Sequence, residues 1–384
     1  MDSALEKDAI LMLGSVPPPF HGSNVYFKNL LDALKQDGAY NILYVQNSDS
    51  EKDLNDIGKL RLTNIRSALR AILGTLLSLL EKRPAVLYVP IAQNSLGFLR
   101  DGSFIILGRL FGARVITHLH GSYFRQFYES SNIVVKRFVD FSMVRVDAAI
   151  VLGERLKPVF DKWLPPSRIF VLPNFVTLPE ERTQSSLPKN GSVVLTYLGN
   201  VMESKGIFQF LEGVKIASKK LKKDVFVKIA GKISGDPYTG LSEKDTISRF
   251  RQYLSSLNVG SEYIGVIQDA HTKLQLLLDT DILVFPSWME GQPLVILEAM
   301  YAGCPVISTK RVGVIDETVL DGTTGILVEK QDVTELADAI VRLVEDDDLR
   351  KRMSANAEKL FNSKFSKDAH LKEFKRIVSK VLCV

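Results

Sequence analysis

Cysteine is scarce in this sequence, with Cys304 and Cys383 the only two among 384 residues. Two cysteines so placed provide neither a disulfide framework nor a cysteine metal cluster, which fits a reducing compartment. The longest apolar run of helical character covers residues 71–80, whereas a membrane span needs about 20 residues. The first residues are acidic and run straight into a strand pattern, unlike a secretory signal. We therefore expect a cytoplasmic protein that does not span a membrane.

Several catalytic and binding motifs are also absent. The first strand pattern is not followed by G-x-G-x-x-G, and G-x-S-x-G does not occur, which argues against a dinucleotide-dependent dehydrogenase and a hydrolase. Dense basic tracts interleaved with aromatics are missing as well, so nucleic acid is not an expected partner. Turn chemistry explains the acidic pair Asp279 and Asp281 at the start of a strand. We therefore expect no metal and no other cofactor.

The net charge of +5 is unevenly distributed. Residues 1–170 hold 21 Lys/Arg against 16 Asp/Glu, whereas residues 171–384 hold 28 of each. Much of the excess brackets the apolar run LGTLLSLL at 73–80, at Lys59, Arg61, Arg66, Arg70, Lys82 and Arg83. This pattern is typical of a basic amphipathic helix that rests on an anionic lipid surface, here the inner membrane face. It is equally typical of an ordinary surface helix whose apolar face joins the core.

Short apolar runs alternate with helical patterns along the chain, which predicts parallel sheets wrapped by helices. One series of strands is expected at 9–13, 41–46, 86–89, 114–118, 148–152 and 169–172. A second is expected at 193–198, 225–230, 263–266, 282–285, 306–308 and 326–328. The segment between them is rich in Pro, Ser, Asn and charge, as linkers are. The sequence thus predicts an α/β protein of two Rossmann-like, doubly wound domains, residues 1–176 and 177–364, with ligands at the carboxyl ends of the strands.

The segment 286–298, PSWMEGQPLVILE, follows one of these strands and opens into an apolar helix. Pro293 suits the first helical position, and the backbone N–H groups around it would point outward with the positive end of the helix dipole behind them. Such a helix end binds phosphate. Glu298 lies just over one turn further along, where its carboxylate could accept hydrogen bonds from a ribose diol. The alternative is that Glu290 is a cap-region acid and Glu298 a solvated helix residue.

The spacing of Glu290 and Glu298 resembles the E-x7-E signature of retaining glycosyltransferases of the GT-B fold, glycosyltransferase family 4. The resemblance continues at Pro305-Val306-Ile307, Gly313, Glu317 and the run DGTTGILVE at 321–329. It implies a GT-B fold of two facing domains, in which the C-terminal helix, residues 365–384, packs on the first domain. It also implies sugar transfer from a nucleotide-diphosphate donor with retention at the anomeric carbon and without a metal ion.

The resemblance further implies a donor site in the second domain. Lys205, at a strand-to-helix turn, would hold the diphosphate, and Glu290 would contact the sugar. Asn200 follows Gly199 where the family usually has arginine, which removes one cation. Candidates to replace that cation are Lys232, Lys310 and Arg311. The donor site predicted in this way, with the base near residues 266 and 267, comprises Gly199, Asn200, Lys205, Val266, Ile267, Glu290, Gly291, Gln292, Pro293, Leu294 and Glu298.

Two first-domain loops are expected to contribute to the same cleft. His120, in the strand end THLHG, resembles the family histidine that lines the donor-sugar pocket, so the predicted catalytic set is His120, Glu290 and Lys205. His118 is expected on the opposite face of the strand, in a structural role. His21 and Gly22 stand where family members often carry a Gly-Gly pair that contacts the acceptor or the phosphate, and we assign both to acceptor binding.

These residues lead to one functional expectation and two alternatives. The expectation is a retaining glycosyltransferase that uses a UDP-, GDP- or ADP-linked sugar and a glycan, lipid-linked or small-molecule acceptor, in the biosynthesis of cell-surface polysaccharide or glycoconjugate. A nucleotide-sugar 2-epimerase would share the fold and donor site but would consume donor without an acceptor. A non-catalytic GT-B accessory subunit would bind nucleotide weakly, and the departures at Asn200 and His21 are the features that favour it.

Overall fold

The computed structural model describes residues 8–18, 21–47, 62–179 and 191–383. The chain divides into two compact units. Unit 1 comprises Met1–Phe175 and Lys367–Val384, and unit 2 comprises Val176–Ser366. The sequence-based boundaries, after residues 176 and 364, lie beside these divisions. Assignment of the two units to acceptor and donor binding stays a prediction.

In the described part of unit 1, six strands form one parallel sheet. They are β1 (Ala9–Gly14), β2 (Asn41–Gln46), β3 (Val86–Pro90), β4 (Arg114–Leu119), β5 (Ala148–Val151) and β6 (Ile169–Val171). The sheet order is β2-β1-β3-β4-β5-β6. β3 and β5 are continuous apolar runs, and β5 is buried throughout, as expected for a parallel sheet covered on both faces.

Five helices connect the described strands of unit 1. They are α1 (Gly22–Asp37), α2 (Leu62–Lys82), α3 (Ser95–Leu110), α4 (Phe124–Ser130) and α5 (Ile133–Met143). Asparagine side chains start two of them: Asn94 accepts a hydrogen bond from Gly97 N at 2.9 Å, and Asn132 accepts one from Val135 N at 3.0 Å. Such caps pair backbone N–H groups that a helix leaves without partners at its first turn.

Unit 2 repeats the architecture. Its described strands are β7 (Val193–Leu198), β8 (Val225–Ala230), β9 (Gly260–Gly265), β10 (Ile282–Phe285), β11 (Val306–Thr309) and β12 (Gly325–Val328), in the sheet order β12-β11-β10-β7-β8-β9. Its described helices are α6 (Ile207–Ala217), α7 (Glu243–Ser255), α8 (Ala270–Leu278), α9 (Leu294–Tyr301), α10 (Ile315–Thr318), α11 (Val333–Glu345) and α12 (Asp347–Leu360). The predicted α/β class with two doubly wound units is therefore confirmed.

The chain reverses its direction of sheet building between β7 and β10. It first adds β8 and β9 on one side of β7, then crosses back and adds β10, β11 and β12 on the other. The connections leaving the carboxyl ends of β7 and β10 therefore diverge and leave a crevice between them, which is where doubly wound sheets bind ligands. Both predicted donor loops, after residues 198 and 285, leave these two strands.

One strand prediction was displaced. The strand expected at 263–266 begins at Gly260 and ends at Gly265. β9 is the edge strand of its sheet and most of its side chains are exposed, so the apolar pattern used to predict strands is weak there. Backbone pairing with β8 sets its start instead, at Phe226 opposite Gly260.

The last helix, α13 (Lys367–Leu382), belongs to unit 1. Its buried side chains, Leu371, Phe374, Ile377, Val378 and Val381, join the same apolar cluster as α1. The His370 ring lies 3.0 Å from the Tyr26 hydroxyl and 2.8 Å from Pro173 O. α13 thus completes the core of unit 1 from the far end of the sequence.

Helix α2 leaves four of its leucines exposed, unlike an ordinary surface helix. Leu69, Leu73, Leu77 and Leu80 are 62%, 56%, 47% and 51% exposed. The alternative in which the apolar face of this segment joins the core is therefore wrong for these four leucines. Lys59 and Arg61, which belong to the same basic pattern, lie outside the described residues. Within the part of the chain that is described, none of the helices has the length and apolar character needed to cross a membrane.

Candidate functional site at the β7–β10 crevice

The loop after β7 is fixed by buried polar groups. The Tyr197 hydroxyl lies 2.8 Å from Asn200 O and 3.2 Å from Lys205 O, so it joins both ends of the loop. Asp236, which is 2% exposed, accepts a hydrogen bond from Ser204 N at 2.5 Å. Neither Tyr197 nor Asp236 was identified from the sequence as a site residue. Together they hold the turn that presents Lys205.

Lys205 meets Glu290 across the crevice. Lys205 Nζ lies 2.7 Å from Glu290 Oε1 and also donates to Met289 O at 3.2 Å. Ser287 Oγ donates to the same carboxylate oxygen at 3.0 Å. The two side chains are 27% and 13% exposed, so a cation and an anion meet in a partly desolvated place. The structure thus brings two predicted site residues into direct contact.

Two glycines allow the loops to approach so closely. Gly206 has φ +79°, and a Cβ there would lie 2.1 Å from Pro286 O. Gly313 has φ +53°, and a Cβ there would lie 2.1 Å from Gly291 O. The loop at 286–293 is held from the same side, because Val314 N donates to Gly291 O at 2.9 Å. Only glycine combines this left-handed backbone with such contacts.

The loop ends at α9, whose first residue is Leu294 and whose N-cap is Pro293. Gln292 is 6% exposed, and its Nε2 donates to Thr318 Oγ1 at 2.9 Å, which fixes the approach to the helix. The N–H groups at the start of a helix carry partial positive charge and lack partners within the helix itself. The predicted set of Gly291, Gln292, Pro293 and Leu294 therefore places such groups beside the Lys205–Glu290 pair.

Glu298 is neither solvated nor alone. It is 5% exposed and forms an ion pair with Lys273 of α8, with Nζ and Oε1 2.5 Å apart. The alternative of a solvated helix residue is therefore wrong. Sequence reasoning missed Lys273, because it precedes Glu298 by 25 residues on a different helix and no local pattern connects them. A buried carboxylate held by one lysine keeps acceptor capacity for further hydrogen bonds.

Of the three cations proposed to compensate for Asn200, two are engaged elsewhere. Lys310 Nζ lies 2.9 Å from Glu335, and Arg311 pairs with Glu329. Lys232 is exposed and lies beside the loop, because its carbonyl accepts a hydrogen bond from Val201 N at 2.8 Å. Lys232 is thus the cation whose backbone adjoins Asn200.

Val266 and Ile267 directly follow β9, at the carboxyl edge of the same sheet. Val266 is 57% exposed, and Ile267 is partly buried against the unit 2 core. Gly231, which follows β8, donates its N–H to Gly265 O at 2.7 Å. Gly231 in turn borders Gly199, since a Cβ at position 231 would lie 1.9 Å from Gly199 O. The predicted base-contacting residues therefore follow β9, which lies next to β8, the strand that precedes Lys232.

In unit 1, His120 belongs to a buried aromatic cluster. Its ring centroid lies 3.9 Å from that of His118 and 4.5 Å from that of Tyr26. Burial lowers the pKa of His120 to about 4, and the neighbouring Asn174 offsets only part of this effect. His120 is therefore a neutral imidazole at neutral pH, which can both donate and accept a hydrogen bond.

The prediction that His118 lies on the opposite face was wrong. Residues i and i+2 of an extended chain share a face, and the two rings indeed lie in contact, tilted by 34° to each other. His118 Nδ1 is hydrogen-bonded to the Tyr88 hydroxyl at 2.7 Å, and burial lowers the pKa of His118 well below its ordinary value. His118 thus supports the ring of His120 from within the core.

The predicted acceptor residues open α1. His21 is its N-cap residue, and its Nδ1 lies 3.0 Å from Ser23 Oγ. Burial lowers the pKa of His21. A Cβ at Gly22 would meet no atom within 4 Å, so unit 1 itself does not require glycine there. The space beside Gly22 is open within unit 1, so a ligand can lie there.

Comparison with known proteins finds a family match for part of the chain. Residues 179–360 match the family described as Glycosyl transferases group 1. The capsular polysaccharide biosynthesis glycosyltransferase CapM of Staphylococcus aureus is 29% identical over 177 residues, which cover 46% of this chain and 43% of that protein. The alpha-D-kanosaminyltransferase of Streptomyces kanamyceticus is 26% identical over 288 residues, 69% of this chain and 70% of that protein. The match to CapM thus spans less than half of that relative.

The fold is shared over nearly the whole chain with HepE of Anabaena, solved in complex with UDP and glucose. The TM-score is 0.69 at 16% sequence identity, and the alignment covers 97% of this chain and 100% of HepE. At that identity the likeness concerns the fold, which includes both units and the strand order that creates the crevice. The chain therefore has the GT-B fold, and residues 179–360, a little under half of it, match the glycosyl transferase family.

Proposed function

We propose that the chain transfers a sugar from a nucleotide-diphosphate sugar to an acceptor hydroxyl, with retention of the anomeric configuration and without a metal ion. The observation that carries the proposal is the Lys205–Glu290 contact of 2.7 Å in the crevice between the β7 and β10 loops, just before the N-terminus of α9. A cation, a carboxylate and outward-pointing amides at one point suit a sugar diphosphate. The diphosphate would pair with Lys205, and the sugar hydroxyls with Glu290.

Charge on the leaving diphosphate must be neutralised as its bond to the sugar breaks. In this proposal Lys205, the first amides of α9 and Lys232 perform the task that a divalent ion performs in other transferases. Lys232 would supply the charge that Asn200 lacks. The side chain of Asn200 still has an N–H₂ group that can donate to a phosphate oxygen.

Glu298 would accept hydrogen bonds from the two ribose hydroxyls. Lys273 would act as a positioning residue, because its ion pair fixes the orientation of the carboxylate in a nearly buried place. The nucleoside would extend from there toward Val266 and Ile267.

Retention rests on the family resemblance, and the chemistry of Glu290 supports one route to it. Glu290 already accepts hydrogen bonds from Lys205 and Ser287, which makes it a binding group rather than a free nucleophile. We therefore propose attack on the face from which the leaving group departs. The acceptor oxygen bonds to the anomeric carbon while the bond from that carbon to the diphosphate oxygen breaks, and the departing oxygen takes the acceptor proton. The products are a glycoside and a nucleoside diphosphate.

Substrates are proposed by analogy with the relatives. HepE was solved with UDP and glucose, so uridine nucleotides come first among the UDP-, GDP- and ADP-sugars. CapM is described as a glycosyltransferase of capsular polysaccharide biosynthesis, which favours a glycan or lipid-linked acceptor of cell-surface polysaccharide. His120 and the α1 start at His21 and Gly22 would contact the donor sugar and the acceptor.

A thermal-shift panel of UDP-, GDP- and ADP-sugars tests the donor site on the wild type, Lys205→Ala and a matched control, Lys351→Ala, whose lysine is exposed on α12. We expect stabilisation of the wild type and the control by one nucleotide class, and its loss in Lys205→Ala. Activity that survives EDTA and a product of retained configuration by NMR would support the full proposal. Donor consumption without an acceptor would indicate an epimerase instead, and binding without any turnover would indicate an accessory subunit.

A further inference from the structure

Helix α2 turns its most apolar face toward solvent. Leu69, Leu73, Leu77 and Leu80 follow one another at intervals of four, four and three residues, which places them on one face of a helix. About half of each side chain is accessible, from 47% at Leu77 to 62% at Leu69. We call these four residues the leucine stripe.

The opposite face of α2 is the one that packs on unit 1, and its side chains are smaller and more polar. The buried residues there are Ser67, Ala71, Thr75 and Leu79. The Thr75 hydroxyl is satisfied inside the helix by Ala71 O at 2.8 Å. Except for Leu79, these buried side chains are small, so α2 can lie close to its neighbours without burying the other leucines. Packing within the described part of unit 1 therefore does not account for the leucine stripe.

Positive charge accompanies the stripe. Arg66 and Arg70 are exposed and lie on the same side of the helix as the leucines, while Lys82 and Arg83 are exposed at its C-terminal end. Against these four cations, the sequence of residues 62–83 has one acid, Glu81. Exposed leucines bordered by arginine and lysine combine apolar insertion with attraction to anionic headgroups.

We infer that α2 docks unit 1 on an anionic lipid bilayer. The stripe runs for about 16 Å along one side of the helix, so its four leucines can enter a flat surface together. The cations would then lie among lipid phosphates. Within the same unit, α5 also exposes Ile133, Val134 and Phe141, at 61%, 72% and 50%. This docking does not depend on the proposed transferase activity, although it would bring unit 1 to lipid-linked acceptors.

A second copy of the chain suits this face less well. In a two-fold symmetric pair of antiparallel α2 helices, Arg66 and Arg70 of one copy would face Lys82 and Arg83 of the other. Like charges directly opposed destabilise such a contact. An anionic surface complements all four cations at once.

Vesicle flotation tests the proposal with the full chain. The wild type should float with phosphatidylcholine vesicles that contain phosphatidylglycerol at low salt, and much less at high salt, since screening weakens the attraction. The pair Leu73→Gln and Leu77→Gln should reduce binding at least ~10-fold by removing apolar insertion. Its matched control is Leu320→Gln, a 40% exposed leucine of unit 2, which should bind as the wild type does.

A second pair of variants tests the charges. Arg66→Glu with Arg70→Glu should reduce binding to anionic vesicles at least ~10-fold, whereas Lys351→Glu with Arg352→Glu on α12, both exposed, should not. Circular dichroism verifies that each variant is folded. Failure of the wild type to float at low salt would overturn the proposal. So would equal binding to neutral vesicles, or a dimer in solution that the leucine variants abolish.

Discussion

Replacing Glu298 separates its role in binding from its role in the fold. The Glu298 side chain, taken without its backbone, is 7% exposed and pairs with Lys273, whose side chain is 26% exposed. In Glu298→Gln the amide oxygen still accepts a hydrogen bond from Lys273, so we expect a loss of about 1 kcal/mol in the free energy of unfolding. The proposed ribose contacts lose more. Two charge-assisted hydrogen bonds correspond to about 3 kcal/mol or more, which is a loss of donor affinity on the order of 100-fold.

Replacing Lys273, the partner of Glu298, should instead affect the stability of the fold more than the affinity for nucleotide. Lys273→Met leaves a nearly buried carboxylate without its cation, and after discounting for the partial exposure of the pair we expect about 2 kcal/mol of destabilisation. Titration calorimetry with nucleotide and urea unfolding measure the two quantities for both variants, with Glu243→Gln, an exposed acid of α7, as the control. Wild-type nucleotide affinity in a folded Glu298→Gln protein would refute the assignment. Unchanged stability in Lys273→Met would refute the reasoning about the pair.

Three further outcomes follow from contacts described above. Lys232→Ala should weaken nucleotide-diphosphate binding about tenfold, and Asn200→Arg in that background should restore it; no effect of the first change would exclude Lys232 as the replacement cation. Gly313→Ala should lower the free energy of unfolding by about 1–3 kcal/mol, because φ is +53° and Gly291 O lies in the way, and a thermal midpoint equal to the wild type would contradict this. Burial lowers the pKa of His120 to about 4 and of His370 to about 3. As the pH falls, these two histidines therefore bind protons in the unfolded chain at a higher pH than in the folded chain. Stability should fall as pH drops from about 6.5 toward 4, by up to ~1.4 kcal/mol per pH unit and histidine, and urea midpoints that stay level over that range would contradict it.

Much of the fold was predictable because buried parallel strands are continuous apolar runs with clear boundaries. β2, β7, β8 and β10 coincide with their predicted residues. The exposed edge strand β9 was displaced because its start depends on pairing with β8 rather than on its own pattern. Short-range signals thus locate strands that contain an apolar run, including the edge strand β2, whereas β9 lacks such a run and its start depends on the tertiary structure.

In the candidate site, too, residues in local sequence patterns were predicted, whereas contacts that depend on tertiary packing were not. Glu290 and Lys205 were predicted from strand-turn-helix patterns, each local to its own segment, and their contact follows from the order in which the sheet is built. Lys273 could not be predicted, because its role depends on two helices packing side by side. Among the proposed compensating cations, Lys310 and Arg311 are engaged by acids that only the folded unit brings near them.

Unit 1 is assembled from both ends of the chain, whereas unit 2 is one uninterrupted segment. During synthesis, residues 1–175 therefore leave the ribosome without the helix that covers α1, and α13 follows after all of unit 2 has been made. At the usual rates of translation this interval is roughly 10 to 40 s. Unit 2 has all of its residues before unit 1 does, so unit 2 can reach its native state first. The apolar surface of α1 meanwhile waits for α13, and that waiting period is when the nascent chain is most exposed to aggregation and to chaperones.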